Sequence, residues 1–278
     1  MTALLVVSAD DLGLTDGVCR AVLQAHLAGI VTSASLLAVG RSFDLAVRMI
    51  RDHPNLDVGA HLAIGGEDPP LLTAREVPSL VDRRGAFPLS YRTVVLRGLA
   101  GRLDPSDVRA EFGAQLERIR SAGVAVSHLD THQHTHLWPA VARVLVELAA
   151  GGCIRAVRTP RSGRLLPVGF GVNLLAGRLR STLRGAGLVT TDDYAGLDEA
   201  GKLDQARFVS ALNDRGETKG TVEINSHPGL PGDPELGRFA WGYRWADELA
   251  MLTSPETRSA VASRGYRLGN FRDLVTTA

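Results

Sequence analysis

The first structural unit of the chain begins with Leu4-Leu5-Val6-Val7-Ser8-Ala9-Asp10-Asp11-Leu12-Gly13-Leu14, an apolar run that leads into two adjacent carboxylates. Residues 4–9 form a short, largely apolar run that ends at turn residues, which predicts a buried strand. The amphipathic residues 15–28 predict a helix next. The same order of strand, polar turn and helix recurs along the chain. This recurrence indicates a parallel sheet with right-handed crossovers.

Strands and helices are predicted to alternate along the whole chain. Helices are expected over residues 15–28 and 42–51, from Asp104 to Gly123, and from Pro139 to Gly151. After the first strand, further strands are expected at residues 32–38, 56–62, 128–136, 154–158, 188–191, 221–225 and 266–270. Seven to eight mostly parallel strands favour a (β/α) barrel over an open sheet, so the predicted fold class is α/β.

Length and composition suit one barrel domain over residues 1–278, since such barrels take roughly 250 residues. The chain is 45% hydrophobic and 22% charged, which is enough apolar material for one large core. Two segments break the alternation. Residues 65–103 and 161–171 are expected to be loop excursions over the barrel mouth that shape a binding pocket.

Several classes of protein are disfavoured by charge and composition. A net charge of +1 argues against a nucleic-acid partner or a membrane-surface role driven by bulk charge. No stretch approaches the roughly 20 apolar residues of a membrane span, and the first residues lack the basic region of a signal peptide. Cys19 and Cys153 lack metal-site spacing and are interpreted as reduced thiols. We therefore expect a cytoplasmic protein.

The segment His128-Leu129-Asp130-Thr131-His132-Gln133-His134-Thr135-His136 carries a polar group at every second position. If it is extended, same-face side chains stand roughly 6–7 Å apart and all point to one side of the sheet. Burying them is costly unless each is hydrogen-bonded or bound to a metal. One or two histidines could coordinate an ion while the others orient ligands or touch substrate. A solvated polar edge is the alternative, which the apolar flanks disfavour.

Polar residues recur where predicted strands end, which is where barrel enzymes carry their chemistry. They follow the first, third, fifth, sixth and seventh strands, as Asp10-Asp11, His61, Arg158, Asp192-Asp193 and His227. Each has a structural alternative. The aspartates could cap a helix, His61 could be a satisfied core histidine, and His227 could be a turn residue before Pro228-Gly229. Their convergence on one rim favours a functional site.

Five ordered motifs make the chain resemble the YdjC-like carbohydrate deacetylases, a family that includes chitooligosaccharide and hopanoid-associated deacetylases. The motifs cover residues 8–14, 29–33, 59–62, 128–136 and 226–229, so the resemblance spans nearly the whole chain. It implies a distorted (β/α) barrel and metal-dependent hydrolysis of an N-acetyl group from an amino sugar. The substrate would be an oligosaccharide, a glycolipid or a glycosylated metabolite.

The resemblance also implies roles for individual residues. Asp11, His61 and His132 would bind the metal, Asp10 would be the general base and His227 the general acid. The remaining polar residues are expected to orient the ligands or to bind substrate: His128, Asp130, His134, His136 and Arg158. Asp130 and His134 are expected to fix the tautomers of the ligands. Arg158 is expected to hold a carboxylate or a sugar hydroxyl.

One divalent ion is the expected cofactor. Two imidazoles and one carboxylate suit zinc, with manganese or cobalt as substitutes, and the family is also associated with magnesium. The chain departs from the family at Ser8, Leu12 and Gln133, where Asn, Phe and His are usual. None of these is a proposed ligand, so the departures bear on packing and substrate fit.

Two other functions stay open. A metal-dependent phosphoesterase would use two or three ions. A non-catalytic sugar-binding protein would need neither an acid nor a base. The expected partner is a small amino-sugar substrate, with a homodimer as the working expectation for assembly. No pattern in the excursions names the sugar.

Overall fold

A parallel sheet organises the computed structural model, which describes residues 3–164, 166–214 and 220–277. Its strands are β1 Leu4–Leu12, β2 Ser33–Leu36, β3 Asp57–Leu62, β4 His128–Thr131, β5 Ala156–Val157, β6 Asp193–Ala195, β7 Thr221–Ser226 and β8 Arg267–Gly269. They lie in the order β5-β4-β3-β2-β1-β7-β6, and β8 pairs with the first half of β1. The predicted α/β class with a curled parallel sheet is confirmed.

Helices surround the sheet and follow the predicted alternation. They are α1 Asp16–Leu27, α2 Phe43–Asp52, α3 Tyr91–Leu99, α4 Pro105–Ser121, α5 Pro139–Gly151, α6 Pro167–Gly185, α7 Gln205–Asn213, α8 Trp245–Thr253, α9 Pro255–Ser263 and α10 Phe271–Thr277. The start of α4 is as predicted, because Asp104 accepts a hydrogen bond from the Ser106 amide and Pro105 occupies the first turn. Among the described residues, no helix combines the length and apolar character that crossing a bilayer requires.

The two edges of the sheet are brought together by one short segment. Val189 exchanges backbone hydrogen bonds with residues on either side of Ala156 in β5, and β6 begins four residues later and pairs with β7. The predicted strand at residues 188–191 is therefore wrong in its bounds. Asp192 lies directly before β6 and Asp193 is the first residue of that strand, so neither follows a strand. Asp192 accepts the Thr221 amide at the amino end of β7, away from the rim where they were expected.

The interior of the barrel changes character from its amino end to its carboxyl end. Along β1, alternate residues such as Leu5 and Val7 pack with the main helical core, whereas Leu4 and Val6 meet Phe271 from α10. Side chains alternate along a strand, so the next inward positions of β1 are polar, at Ser8 and Asp10. Apolar side chains therefore fill the amino end of the barrel, and polar side chains fill its carboxyl end.

The histidine-rich segment is not one extended row. β4 ends at Thr131, and His132–Leu137 forms a 3₁₀ helix in which Gln133 and His134 have φ values of 54° and 52°. The Thr131 hydroxyl accepts the His136 amide at 3.0 Å, which closes this turn. The expectation that all five polar groups share one face is therefore wrong beyond Thr131.

The two predicted excursions have different outcomes. Residues 65–103 are irregular as far as Ser90, where the hydroxyl of that residue caps α3. The excursion over residues 161–171 is wrong in its second half, because α6 begins at Pro167. Leu89, Ser90 and Tyr91 line the cavity described below, whereas residues 161–163 line a different one, so among the described residues of the two excursions only those of the first line that cavity.

Candidate functional site

A cavity of about 310 Å³ lies at the carboxyl end of the central strands. Six of the residues singled out from the sequence line it, namely Asp10, Asp11, His61, His132, His134 and His227. They come from β1, β3, the start of the 3₁₀ helix after β4, and the end of β7. The structure therefore brings together residues that are more than two hundred positions apart in the sequence.

Asp11, His61 and His132 form a compact cluster on the cavity. The Asp11 Oδ1 atom lies 2.9 Å from His132 Nδ1 and 3.5 Å from His61 Nε2. One potential ligand atom from each residue lies within 4.8 Å of the others, and all three residues are buried. Asp11 has a φ of 63°, an uncommon conformation for a residue other than glycine, which turns its carboxylate toward the two imidazoles. The arrangement could hold one divalent cation.

Neighbouring charges shift the pKa values of Asp11 and His61 in opposite directions. Burial by itself raises the pKa of Asp11, but the charge and hydrogen bond of His132 and the hydrogen bond of His61 hold it well below its usual range. Burial by itself lowers the pKa of His61, yet the Asp130 and Asp10 carboxylates raise it well above its usual range. Opposite charges therefore stabilise each other inside the barrel.

Asp130 contacts the far side of the His61 ring. Its Oδ1 atom lies 3.0 Å from His61 Nδ1, and its Oδ2 atom accepts a hydrogen bond of 3.0 Å from the Ser35 hydroxyl. A carboxylate on Nδ1 favours the tautomer that leaves Nε2 free to act as a ligand. This geometry agrees with the orienting role predicted for Asp130.

Arg158 lies at the centre of a fully buried charge network. Its guanidinium donates from Nη1 to Asp10 Oδ2 at 2.7 Å and from Nε to Glu223 Oε1 at 2.7 Å, and it also pairs with Asp130. Its exposed fraction is 0%, so contact with a sugar hydroxyl does not fit, whereas the predicted contact with a carboxylate is present.

One guanidinium faces three carboxylates in this network, so their charges are not balanced. Burial raises the pKa of Glu223 to about 7, and it also tends to raise the pKa of Asp130. At Asp130 the charges of Arg158 and His61 outweigh burial and lower the pKa far below its usual range. These shifts favour the ionised form of Asp130, whereas burial shifts the pKa of Glu223 toward its protonated form.

His128 and His136 are fully buried residues next to the site. The His128 ring stacks on Phe271 with centroids 3.7 Å apart and lies 3.3 Å from the Ser35 hydroxyl. His136 Nε2 lies 3.1 Å from the carbonyl oxygen of Arg158. Burial lowers the pKa of both histidines to about 4, so both are neutral. Contact with substrate, one of the roles predicted for them, does not fit these positions.

His134 faces the cavity but is turned away from the proposed ligands. Its Nε2 atom lies 3.4 Å from the Tyr194 hydroxyl, and its ring lies edge-on to His136. Burial and the charge of Arg158 lower its pKa well below the usual range. No contact with His61 or His132 is seen among the described residues, so the predicted orienting role for His134 lacks a geometric basis. A contact with substrate is consistent with its position.

His227 follows β7 directly and is held through its backbone. Its amide donates to Glu248 Oε2 at 2.6 Å, and its ring lies edge-on to Tyr243 with centroids 4.9 Å apart. Within the described part of the chain, its Nδ1 atom is buried without a hydrogen-bond partner. The imidazole is thus fixed in place with one polar atom free for chemistry.

Several further residues near the site were not assigned a functional role from the sequence. Glu223 has a readable signal, because it is a carboxylate between Val222 and Ile224 on a buried strand. Trp241 and Tyr243 also line the cavity, although their spacing alone could not distinguish a binding surface from core packing. Glu67 lies in an irregular segment and Glu248 lies in α8, and only the folded structure reveals their contacts.

Comparisons with known proteins agree with this geometry. The model of the family described as YdjC-like protein matches residues 4–263. A carbohydrate deacetylase of Geobacillus stearothermophilus is 33% identical over 273 residues, which cover 97% of each chain. A chitooligosaccharide deacetylase of Proteus mirabilis is 28% identical over 279 residues, covering 99% of this chain and all of the relative.

A solved structure shares the fold. It is that of an Enterococcus faecalis V583 protein proposed to cleave cellobiose phosphate, and it superposes with a TM-score of 0.83 at 24% identity. The match covers 99% of both chains. The whole length of the described barrel, including its excursions, therefore has a counterpart of known structure.

Proposed function

This chain belongs to the YdjC-like protein family, and we propose that it is a metal-dependent hydrolase that removes the N-acetyl group from an acetylated amino sugar. One observation carries the proposal. Potential ligand atoms of Asp11, His61 and His132 lie within 4.8 Å of one another, and these residues line the same cavity as Asp10 and His227. The deacetylase activities named for two relatives of full length support the same reaction class.

The donor set fits a divalent cation. Two imidazoles and one carboxylate are a common set for a catalytic zinc ion that keeps positions open, and manganese, cobalt or magnesium are the alternatives. The chemistry that such an ion supplies when bound is Lewis acidity, which lowers the pKa of water and polarises a carbonyl group. Asp130 would keep the His61 tautomer suited to binding.

Asp10 would act as the general base. One of its oxygens is engaged by Arg158, whereas Oδ1 is buried without a hydrogen-bond partner among the described residues. The guanidinium fixes the carboxylate in one orientation, and the free Oδ1 atom is available to take a proton from the attacking water. Asp10 lines the same cavity as the proposed ligands, so the proton would have a short path.

His227 would act as the general acid. An amine leaves an acetamide only when it receives a proton, because an amide anion is a poor leaving group. The His227 ring lies on the cavity with its Nδ1 atom unpartnered within the described residues, and Glu248 holds its backbone. Asp10 and His227 would thus serve the two ends of the bond that breaks.

The same contacts weigh against the two other functions. A phosphoesterase with two or three ions would need a second set of ligands. The second acidic set here, Asp10 and Asp130 with His61, already contains the Arg158 guanidinium. A sugar-binding protein would need neither a general acid nor a general base, whereas Asp10 and His227 both line the cavity, each with a polar atom unpartnered among the described residues.

A screen of substrates tests the proposal. Metal-loaded protein is incubated with N-acetylated amino sugars, including N,N′-diacetylchitobiose, and the products are analysed by mass spectrometry for replacement of one acetyl group by hydrogen. We expect deacetylation of at least one acetylated glucosamine derivative, with acetate released in equal amount. A panel that stays intact while phosphate esters are cleaved would overturn the proposal in favour of the phosphoesterase.

A further inference from the structure

Two aromatic side chains, Trp241 and Tyr243, line one side of the cavity, and we refer to them as the aromatic wall. Their ring centroids are 5.3 Å apart. Trp241 lies 5.3 Å from the His132 ring, and Tyr243 lies 4.9 Å from the His227 ring. The aromatic wall therefore runs from a proposed metal ligand to the proposed general acid, along the path that a bound substrate would occupy.

Each ring of the aromatic wall is held by a specific neighbour. The Trp241 indole Nε1–H donates to Glu67 Oε1 at 2.9 Å. Tyr243 lies directly on Gly201, where a Cβ atom would come within 2.0 Å of the ring. A glycine with a φ of 70° therefore makes room for one ring, and a carboxylate orients the other.

The surroundings of Glu67 suit a residue that positions the Trp241 side chain. Burying a carboxylate is costly unless it is fully hydrogen-bonded, and its Oε2 atom is buried without a partner among the described residues. Burial raises the pKa of Glu67. The residue does not line the cavity itself, so any effect on substrate would pass through the indole.

A neighbouring contact holds the same two segments together independently. Asp68 pairs with Arg238, in the short 3₁₀ helix Pro234–Arg238 that precedes Trp241, and also with Arg41. The attachment of the loop is therefore separate from the orientation of the indole. Adjacent residues, Glu67 and Asp68, offer a matched pair for experiment.

We propose that Glu67 is a positioning residue that fixes the Trp241 indole, so that the aromatic wall binds the apolar face of the substrate's sugar ring. The inference rests on the proposed function, because it takes the ligand to be an amino sugar. Aromatic rings offer a flat apolar surface whose orientation is set by their polar atom, and here that atom is the indole N–H. Loss of the hydrogen bond frees the ring to rotate and weakens binding without touching the reacting groups.

The test is a double-mutant cycle on purified, metal-loaded protein. Binding of N,N′-diacetylchitobiose is measured by calorimetry, and KM and kcat are measured by product analysis. Glu67→Ala should raise Kd and KM about three- to tenfold, the effect of one lost hydrogen bond, with kcat nearly unchanged. Glu67→Gln should restore wild-type Kd, because its amide oxygen accepts the same N–H. Trp241→Phe should raise Kd similarly, and adding Glu67→Ala to it should have no further effect.

Asp68→Ala is the control for loop attachment. It should lower Tm while leaving Kd unchanged. Additive effects of Glu67→Ala and Trp241→Phe, an equal loss of binding in Asp68→Ala, or a lower kcat at unchanged Kd would each overturn the positioning role. Binding without deacetylation would overturn the proposed function alone, and the cycle in Kd would still decide the role of Glu67. If the wild-type protein neither binds nor deacetylates the disaccharide, the inference is overturned as well.

Discussion

Two acidic clusters lie side by side at the carboxyl end of the barrel and share His61. The first consists of Asp11, His61 and His132, and the second of Asp10, His61 and Asp130. In both, the potential ligand atoms lie within 4.8 Å of one another, and all of the residues are buried. By donor type and spacing alone, either cluster could hold a cation.

The clusters differ in the source of their positive charge. The Arg158 guanidinium pairs with both carboxylates of the second cluster. In the first cluster, the contacts seen among the described residues are between Asp11 and the two imidazoles. A buried carboxylate needs a nearby positive charge or hydrogen-bond donors, and the protein supplies a permanent cation to only one set. This difference supports the proposal that Asp10, in the second cluster, handles the proton and that the first cluster holds the metal ion.

Removing a ligand of the first cluster should have the largest effect. We expect His132→Ala to lose bound metal and to lower kcat/KM by about 10³-fold or more, because a metal ion contributes several kcal/mol to such reactions. His61→Ala should behave in the same way. Metal content by plasma mass spectrometry and turnover are measured on the same samples. His53→Ala, at the end of α2, is the control, and a His132→Ala protein that keeps its metal would refute the assignment.

Removing the cation of the second cluster should cost stability. Arg158→Met removes the guanidinium that pairs with Asp10, Asp130 and Glu223, which we expect to destabilise the fold by about 3–5 kcal/mol. Arg158→Lys should recover only part of this loss, because a single ammonium group cannot reproduce the planar fork that meets three carboxylates. Urea unfolding at pH 7 measures the difference. Equal stability of Arg158→Met and the wild type would show that the network is not needed for charge balance.

Asp10→Asn separates the two clusters functionally. The amide oxygen can still accept from Arg158, so the fold and the metal content should be retained, but the side chain can no longer take a proton. We expect kcat to fall by about 10²-fold or more with the metal content unchanged. Simultaneous loss of metal would mean that Asp10 belongs to the metal site, and the distinction between the clusters would collapse.

The smallest effect is expected at Glu223, through pH. Its pKa in the folded protein is about 7, above the ordinary glutamate value that it has when unfolded. The folded state therefore holds a proton that the unfolded state has lost, and the contribution of Glu223 to stability declines as pH rises from about 4.5 to about 7. Glu223→Gln should remove this decline, on the order of 1–3 kcal/mol. Denaturant unfolding from pH 5 to 8 checks it, and parallel stability curves for the two proteins would contradict it.

The order of the elements could be predicted because local patterns carry it. The apolar residues of β1 and the Asp104-Pro105 start of α4 act over a few neighbouring positions, so the sequence shows them directly. The path of the histidine-rich segment could not be read in this way. Its alternation is typical of a strand, but the hydrogen bond from the His136 amide to Thr131 turns the chain into a 3₁₀ helix.

The candidate site shows the same limit. The rim residues Asp10, Asp11, His61, His132 and His227 could be named from their places at the ends of predicted strands and from the resemblance to the YdjC-like family. Their pairings could not, because Arg158 meets Glu223 and Asp10 across 65 and 148 positions of sequence. The predicted bounds of the sixth strand were wrong for a related reason. Within the predicted strand at residues 188–191, Val189 forms an isolated bridge with Ala156. The strand β6 begins further along the sequence, where the chain pairs with β7.

The most direct test is the position and number of bound ions. Crystals grown with zinc are measured at wavelengths on either side of the zinc absorption edge, and the anomalous difference map is inspected at the two clusters. The account predicts one peak per chain, ligated by Asp11, His61 and His132, with Arg158 still paired to Asp10 and Asp130. A peak between Asp10 and Asp130 with the guanidinium displaced, or no peak at the first cluster under saturating zinc, would contradict it.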